Sequence, residues 1–203
     1  MHTAEDIEIG QQSDGQAGDR KIAFHMPRRR DRAVQDELWI TELLNNAPIG
    51  VLATSGESGP ALNPNLFAFD AEQNRIYLHT AKTGQTRDNV EKRPRVSFCV
   101  AEMGRLLPAD AAVHFSVEYA SVVLEGRAAV VEDADEATRA LDLLMRKYAP
   151  QFEPGHHYRG IEAKDLARTT VFRIDIERWT GKAKTSDASD AYAYGAVARS
   201  KGL

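Results

Sequence analysis

His79 and Thr80 stand at the end of an alternating apolar run, and Lys82, Thr83, Gly84, Gln85, Thr86 and Arg87 follow within the segment RIYLHTAKTGQTRDNVEKRPRVSFCV. Hydroxyls, an amide and two cations gathered where a strand gives way to a helix have the chemistry of an anion site. Alternation of Ile76 and Leu78 with Tyr77 and His79 predicts the strand, Thr83-Gly84 break it, and Gln85 to Lys92 read as a helix stopped by Arg93-Pro94. The unpaired N–H groups and the dipole of that helix start favour a phosphate, helped by the Thr80, Thr83 and Thr86 hydroxyls. Turns rich in Thr and Gly are also ordinary connections, so this segment alone leaves both readings open.

His79 has two readings. Imidazole titrates near neutral pH, so the side chain can orient a substrate carbonyl or donate a proton, and it can equally be a packed, hydrogen-bonded residue. His156-His157 in EPGHHYRG are of metal-ligating type, but the spacing offers no convincing third ligand, so they read as a solvated loop and no metal is expected. The single cysteine, Cys99, excludes an intramolecular disulfide and a multi-cysteine zinc cluster; in the pattern VSFCV it reads as a buried structural thiol. The RRRDR run from Arg28 to Arg32 lacks interleaved aromatics for base stacking and reads as a solvated helix entrance or a phosphate helper.

The elements that must position these groups are mostly strands. After Asp31, read as an N-cap, Val34, Leu38, Trp39, Leu43 and Leu44 give a helical stripe ending before Pro48. Ile49 to Thr54 and Ala61 to Phe69 are predicted strands around the SGESG turn, and Asp70 to Asn74 turns into Ile76 to Thr80. Arg95 to Ala101 follows the short helix, then an irregular stretch with Gly104 and Pro108, which also contains His114, leads to a long strand from Tyr119 to Val131 in which Gly126 permits a bend. Asp135 to Tyr148 is a second helix, and Thr170 to Ile176 a closing strand. Many antiparallel strands with few helices predict a mainly β fold with peripheral helices, barrel or sandwich.

A chain of 203 residues with 42% hydrophobic content can bury one sizeable core, so one domain over residues 28–185 is expected, with tails at 1–27 and 186–203. Within the first tail, Ile22, Phe24 and Met26 alternate like a short strand that can pack on the domain or on a partner. A formal charge of −4 and a pI near 5.9 give no electrostatic reason to expect nucleic acid. No apolar run is long enough to span a bilayer and no secretion signal is evident, so no membrane partner and a cytoplasmic location are expected.

The order and spacing of IGVLATSGESGPALNPNLFAFD, IYLHTAKTGQTRDNVEKRPRVSFCV, EYASVVLEGRAAVVED, ALDLLMRKYAP and VFRIDIERWTGK resemble the flavin-binding pyridoxamine-phosphate-oxidase-like superfamily, most closely its nitroimidazole-resistance-like branch. The resemblance covers nearly all of Arg28 to Lys182. It implies an FMN-binding split β-barrel that forms a homodimer with two shared flavin sites at the subunit interface. It also implies positions for the cofactor: Pro64, Asn65 and Leu66 along the ring with Asn63 nearby, His79 and Thr80 at the strand end, Lys82, Gly84, Gln85, Thr86 and Arg87 at the phosphate, Ser121 on a strand that reaches the flavin and Trp179 near the ring, with Lys182 as a further candidate. Many relatives carry basic residues where this chain has Gln85-Thr86, which leaves the phosphate to Thr80, Lys82, Arg87, the helix end or partner arginines.

By the same resemblance the function is that of an FMN-dependent oxidoreductase, in which a nicotinamide donor reduces the flavin and a small electrophile such as a nitroaromatic or quinone is reduced in turn, with His79 as proton donor or orienting group. A non-catalytic flavin-binding or flavin-sensing protein, and a relative holding haem or a deazaflavin, are the alternatives. True pyridoxamine-phosphate oxidase activity is not expected, because after RWTGK the chain runs to KTSDASDAYAYG and lacks that enzyme's Arg-rich C-terminal substrate motif.

Overall fold

Period-two alternation of apolar residues drives the architecture. In the computed structural model, which describes residues 21–187, the hairpin β3 (Gly50–Gly56) and β4 (Gly59–Asn65) is followed after Leu66 by a second hairpin, β5 (Phe67–Asp70) and β6 (Arg75–Ala81). The short strands β1 (Ala23–Phe24) and β2 (Ala33–Val34) precede these, and three long strands follow: β7 (Arg95–Leu107), β8 (Ser116–Val130) and β9 (Thr169–Lys184). All nine belong to one sheet of hydrogen-bonded order β4-β3-β7-β8-β9-β6-β5, with β1 and β2 added on β9. β4 and β5 lie at opposite ends of this order, yet only Leu66 separates them in the chain. The sheet therefore curls until its ends meet, and since no ladder joins those ends the barrel is split between them.

Leu52, Phe67, Leu78, Phe98, Leu124 and Phe172 alternate inward and fill the barrel, where they are essentially removed from water. The Phe67 and Phe98 rings meet edge to face at 4.9 Å. Gly126 makes one close approach possible: a Cβ there would lie 2.1 Å from the Asp175 carbonyl oxygen. At that point the register steps from Glu125 opposite Arg178 to Gly126 opposite Ile176, so Glu177 is an extra residue on β9 and the strand bends.

Helices complete the packing, some into the barrel core and one over its outer face. Helix α1 (Glu37–Asn46) is capped by Asp36, whose side chain accepts from the Leu38 and Trp39 N–H groups at 2.8 and 3.3 Å. The expected cap, Asp31, instead pairs with Arg29 beside a 3₁₀ turn at Arg30–Arg32. Val34 is in β2 and Leu38 is 80% exposed, so the buried stripe of α1 is Ile40, Leu43 and Leu44. Helix α3 (Ala134–Tyr148), capped by Asp133, lies over the outer face of β5 and β6, where Tyr77 bonds Glu136 and Arg139 and the Tyr148 hydroxyl accepts from the Phe67 N–H at 3.0 Å. Lys147 sits 3.5 Å from the Phe67 ring centre and donates to the Leu44 carbonyl at 3.0 Å; burial pushes its ammonium down to about 8.

Several boundaries differ from the pattern-based expectation. The predicted strand Ala61 to Phe69 is two strands parted at Leu66, because the barrel's split falls there. Gly104 lies inside β7, where β7 and β8 pair with a register shift between Met103 and Leu106, so the supposed irregular stretch is mostly hairpin. β9 runs eight residues beyond Ile176 and takes the RWTGK segment into the sheet. Ile22 is in the core and β1 pairs in parallel with β9, so the folded unit begins before Arg28. The remainder of the two expected tails, residues 1–20 and 188–203, lies outside the described residues. Among the described residues no helix is long and apolar enough to cross a membrane.

Candidate functional site

The ladder between β6 and β9 runs without a break from Arg75–Asp175 to Ala81–Thr169, and it decides which way each candidate side chain points. Leu78 and Phe172 face the barrel interior, while Tyr77 and Val171 face outward beneath α3. Strict alternation then puts Thr80 on the interior side, opposite Thr170, and the His79 imidazole on the outer side, opposite Val171. Neighbours that the sequence joined in one site are thus on opposite faces. His79 reaches the interior side only through its carbonyl, which accepts from the Asn65 side-chain amide at 2.9 Å.

On the interior side lies the segment expected to hold a phosphate. Helix α2 (Gln85–Lys92) begins at Gly84, whose φ of 144° belongs to the region that favours glycine, and no side chain caps its first turn. Nothing lies within 4 Å of where a Gly84 Cβ would stand, so the helix start opens outward. Asn63 on β4 donates to the Thr86 hydroxyl at 3.1 Å and so fixes the edge strand to the helix start. Behind it, buried Asn89 donates to the Thr54 hydroxyl at 2.9 Å. Arg87 bonds Glu91 at 2.7 Å and reaches the Lys82 carbonyl and the Thr170 hydroxyl at 3.4 Å. Thr170 itself donates to the Lys82 carbonyl at 3.2 Å, which ties the loop to β9. Lys82, Gly84 and Gln85 are exposed, and Lys82 makes no ion pair among the described residues. Thr80 donates to the Ala81 carbonyl at 2.9 Å. Thr170 and Asn89 carry this loop and were missed by pattern reading, because their partners lie far away in the chain.

Beside the loop, Lys82, Thr170, Val131 and Leu166 help line a cleft of about 100 Å³. Pockets that enclose a drug-sized ligand span about 300–1,000 Å³. A large planar ligand held by this loop must therefore extend over open surface. One such surface adjoins the helix start through Asn63: β4, a sheet-end strand with one backbone edge outside the ladder, on which Pro60, Leu62 and Pro64 point outward and are exposed.

The remaining candidates are elsewhere. Ser121 and Lys182 are register partners on β8 and β9, with the Ser121 hydroxyl 3.5 Å from the Lys182 carbonyl, on the outer face of the barrel. Trp179, expected near the ring, is 4% exposed and part of the barrel core, because the extra residue Glu177 turns it inward with Ile176. That placement corrects the expectation: the indole has no surface to offer a ligand. Leu66 is exposed where the barrel splits. Cys99 is half-buried, and burial pushes its thiol up, in keeping with an inert sulfur. The two His rings of the 156–157 pair are joined by a third donor, Glu153, within 4.8 Å.

A family model described as pyridoxamine 5'-phosphate oxidase matches residues 36–183, the stretch that builds the barrel and this loop. The chain belongs to that family. Membership makes the curled, split sheet a family fold, the split barrel of pyridoxamine-phosphate-oxidase-like proteins. Solved structures agree at the level of fold. A protein assigned to 5-nitroimidazole antibiotic resistance in Bacteroides thetaiotaomicron is 19% identical with a TM-score of 0.64, over 74% of this chain and 86% of that one. The flavocytochrome Anf3 from Azotobacter vinelandii is 22% identical with a TM-score of 0.66, over 84% and 80%. A FAD- and haem-binding protein from Mycobacterium smegmatis is 19% identical with a TM-score of 0.69, over 78% and 77%. No curated protein matches the chain in sequence.

Proposed function

We propose that this pyridoxamine-phosphate-oxidase family member is a flavoprotein that takes FMN and acts as an oxidoreductase on a small electrophile such as a nitroaromatic or quinone, with a nicotinamide donor. The observation that carries the reading is the open, uncapped start of α2, tied by Asn63 to the free edge strand of the barrel. It is a phosphate site adjoining a flat surface, which is the shape of an FMN. When bound, the flavin supplies the redox chemistry, accepting a hydride equivalent and passing electrons on.

The chain's own residues bind and orient. The N–H groups of the first turn of α2, the Thr86 hydroxyl and the Lys82 ammonium hold the phosphate, and Arg87 turns toward it from Glu91. The backbone of Asn63 to Leu66 lies along the ring. Ser121 and Lys182 lie on the outer face, at the far end of β9 from Thr170, and would enter the site only from the second subunit of a homodimer with shared sites. Fold neighbours that bind flavin or haem support the cofactor class and keep the spectrum of the isolated protein informative. His79 is given no proton-transfer role, because its ring stands on the opposite face from Thr80. The placement of the His79 ring on the opposite face favours one second reading, a protein that binds flavin without turnover.

FMN should bind in about one copy per chain and riboflavin clearly more weakly, since losing charge-assisted phosphate bonds costs about 1.5–3 kcal/mol each. Fluorescence quenching titrations measure both ligands. Equal affinities would remove the α2 start from the site, and a bound flavin that NADH and NADPH fail to reduce in the presence of nitroaromatic or quinone would leave the non-catalytic reading.

A further inference from the structure

We propose that Glu153, His156 and His157 form a binding site for a divalent transition-metal ion, with zinc as the type. Adjacent residues of an extended chain point to opposite sides, so a His-His pair does not ordinarily converge. Here the loop after α3 is folded into a tight turn. Gly155 adopts a φ of 82°, its N–H donates to the Tyr158 carbonyl at 2.8 Å, and the His157 N–H donates to the Glu153 carbonyl at 2.9 Å. The turn brings the two rings together edge to face, with their Nδ1 atoms 3.3 Å apart. One donor atom from each of the three residues lies within 4.8 Å of the others.

The separation of the two nitrogens matches a metal. Zinc–imidazole bonds of about 2.0–2.1 Å at a tetrahedral angle place two ligand nitrogens roughly 3.3 Å apart. Two imidazole nitrogens at that distance need a proton or a cation between them, since otherwise their lone pairs face each other. His157 Nδ1 accepts from the Glu153 N–H at 3.1 Å, so a metal would take that lone pair in place of this hydrogen bond. A metal would replace the shared proton, and a rotation of the exposed Glu153 side chain would bring its carboxylate into the shell. Two neutral nitrogens and one carboxylate oxygen suit zinc and its neighbours in the series, whereas magnesium and calcium prefer oxygen alone. All three residues are exposed, so an ion can enter and water can complete the coordination. The proposal is independent of the flavin reading, because none of these residues belongs to the α2 loop.

The test uses untagged full-length protein titrated with zinc chloride at pH 7.5 by calorimetry. One saturable site per chain is expected, with affinity reduced more than about tenfold in His156→Ala and in His157→Ala, and unchanged in His114→Ala. Substituting Co²⁺ in the unmutated protein gives a second readout, an intense visible band from a four- or five-coordinate ion. No saturable binding, undiminished binding in both histidine variants, or only the weak band of hydrated octahedral cobalt would each overturn the site.

Discussion

At the scale of single residues, His79 has chemistry that its place in the sheet redirects. Its Nδ1 is buried without a hydrogen-bond partner, and burial lowers the imidazole below its usual value. The neutral ring is therefore favoured in the folded protein. Because the folded value lies below the unfolded one, the stability linked to this group is complete above the unfolded value of about 6.5 and declines as pH falls through it toward the folded value. His79→Leu should consequently flatten the loss of stability between pH 7.5 and pH 5.5, as read by urea unfolding at the two pH values. It should also leave FMN affinity nearly unchanged, since only the carbonyl faces Asn65. A pH dependence identical to that of the unmutated protein would contradict this packing assignment.

Among the elements, β9 decides most. Its first half carries Thr170 to the phosphate loop, and beyond one extra residue at Glu177 it turns Trp179 inward and pairs Lys182 with Ser121. The bend needs a glycine on the facing strand, because any side chain at position 126 would run into the Asp175 carbonyl. Gly126→Ala is expected to destabilise the barrel by about 1–3 kcal/mol, the usual cost of overpacking, and guanidinium unfolding would register it as an earlier midpoint with little change of slope. A midpoint shifted by nothing measurable would mean that the two strands part there without penalty. Alternation predicted β6 closely, whereas the strand predicted at Thr170 to Ile176 stopped one residue short of the bulge, which resets the parity and which no local pattern announces.

At the scale of the whole molecule, the outer face of β3, β4, β7 and β8 is the surface that bears on the proposed homodimer. Register places Pro64, Val51, Cys99 and Val123 in one row and Leu62 beside Ala53 in the next. Leu62 is 70% and Val123 37% exposed. If the proposed homodimer uses this face, a twofold partner laid on it would bring a second set of outer-face residues toward the β4 edge. Leu62→Asp should yield a monomer by sedimentation that keeps its circular dichroism and loses flavin. A Leu62→Asp protein that remains dimeric and flavin-bound would place the interface elsewhere.

Local pattern was enough for the helix Gln85 to Lys92, the strand before it, the helix after Asp133 and the mainly β class, since propensity, caps and periodicity act over a few residues. The order and spacing of motifs were enough for the family. Which side of the sheet each candidate faces was not legible. That depends on register between strands about a hundred residues apart, as with His79 opposite Val171, and on the bulge that buries Trp179. The long-range bonds of Asn63 to Thr86 and Thr170 to Lys82, and the gathering of Glu153 with two histidines around Gly155, likewise exist only once the chain has folded back on itself. Sequence specifies which groups are available, while the closing of the split barrel settles which of them share a surface, because side-chain direction in a sheet alternates with every residue and is reset by each irregularity.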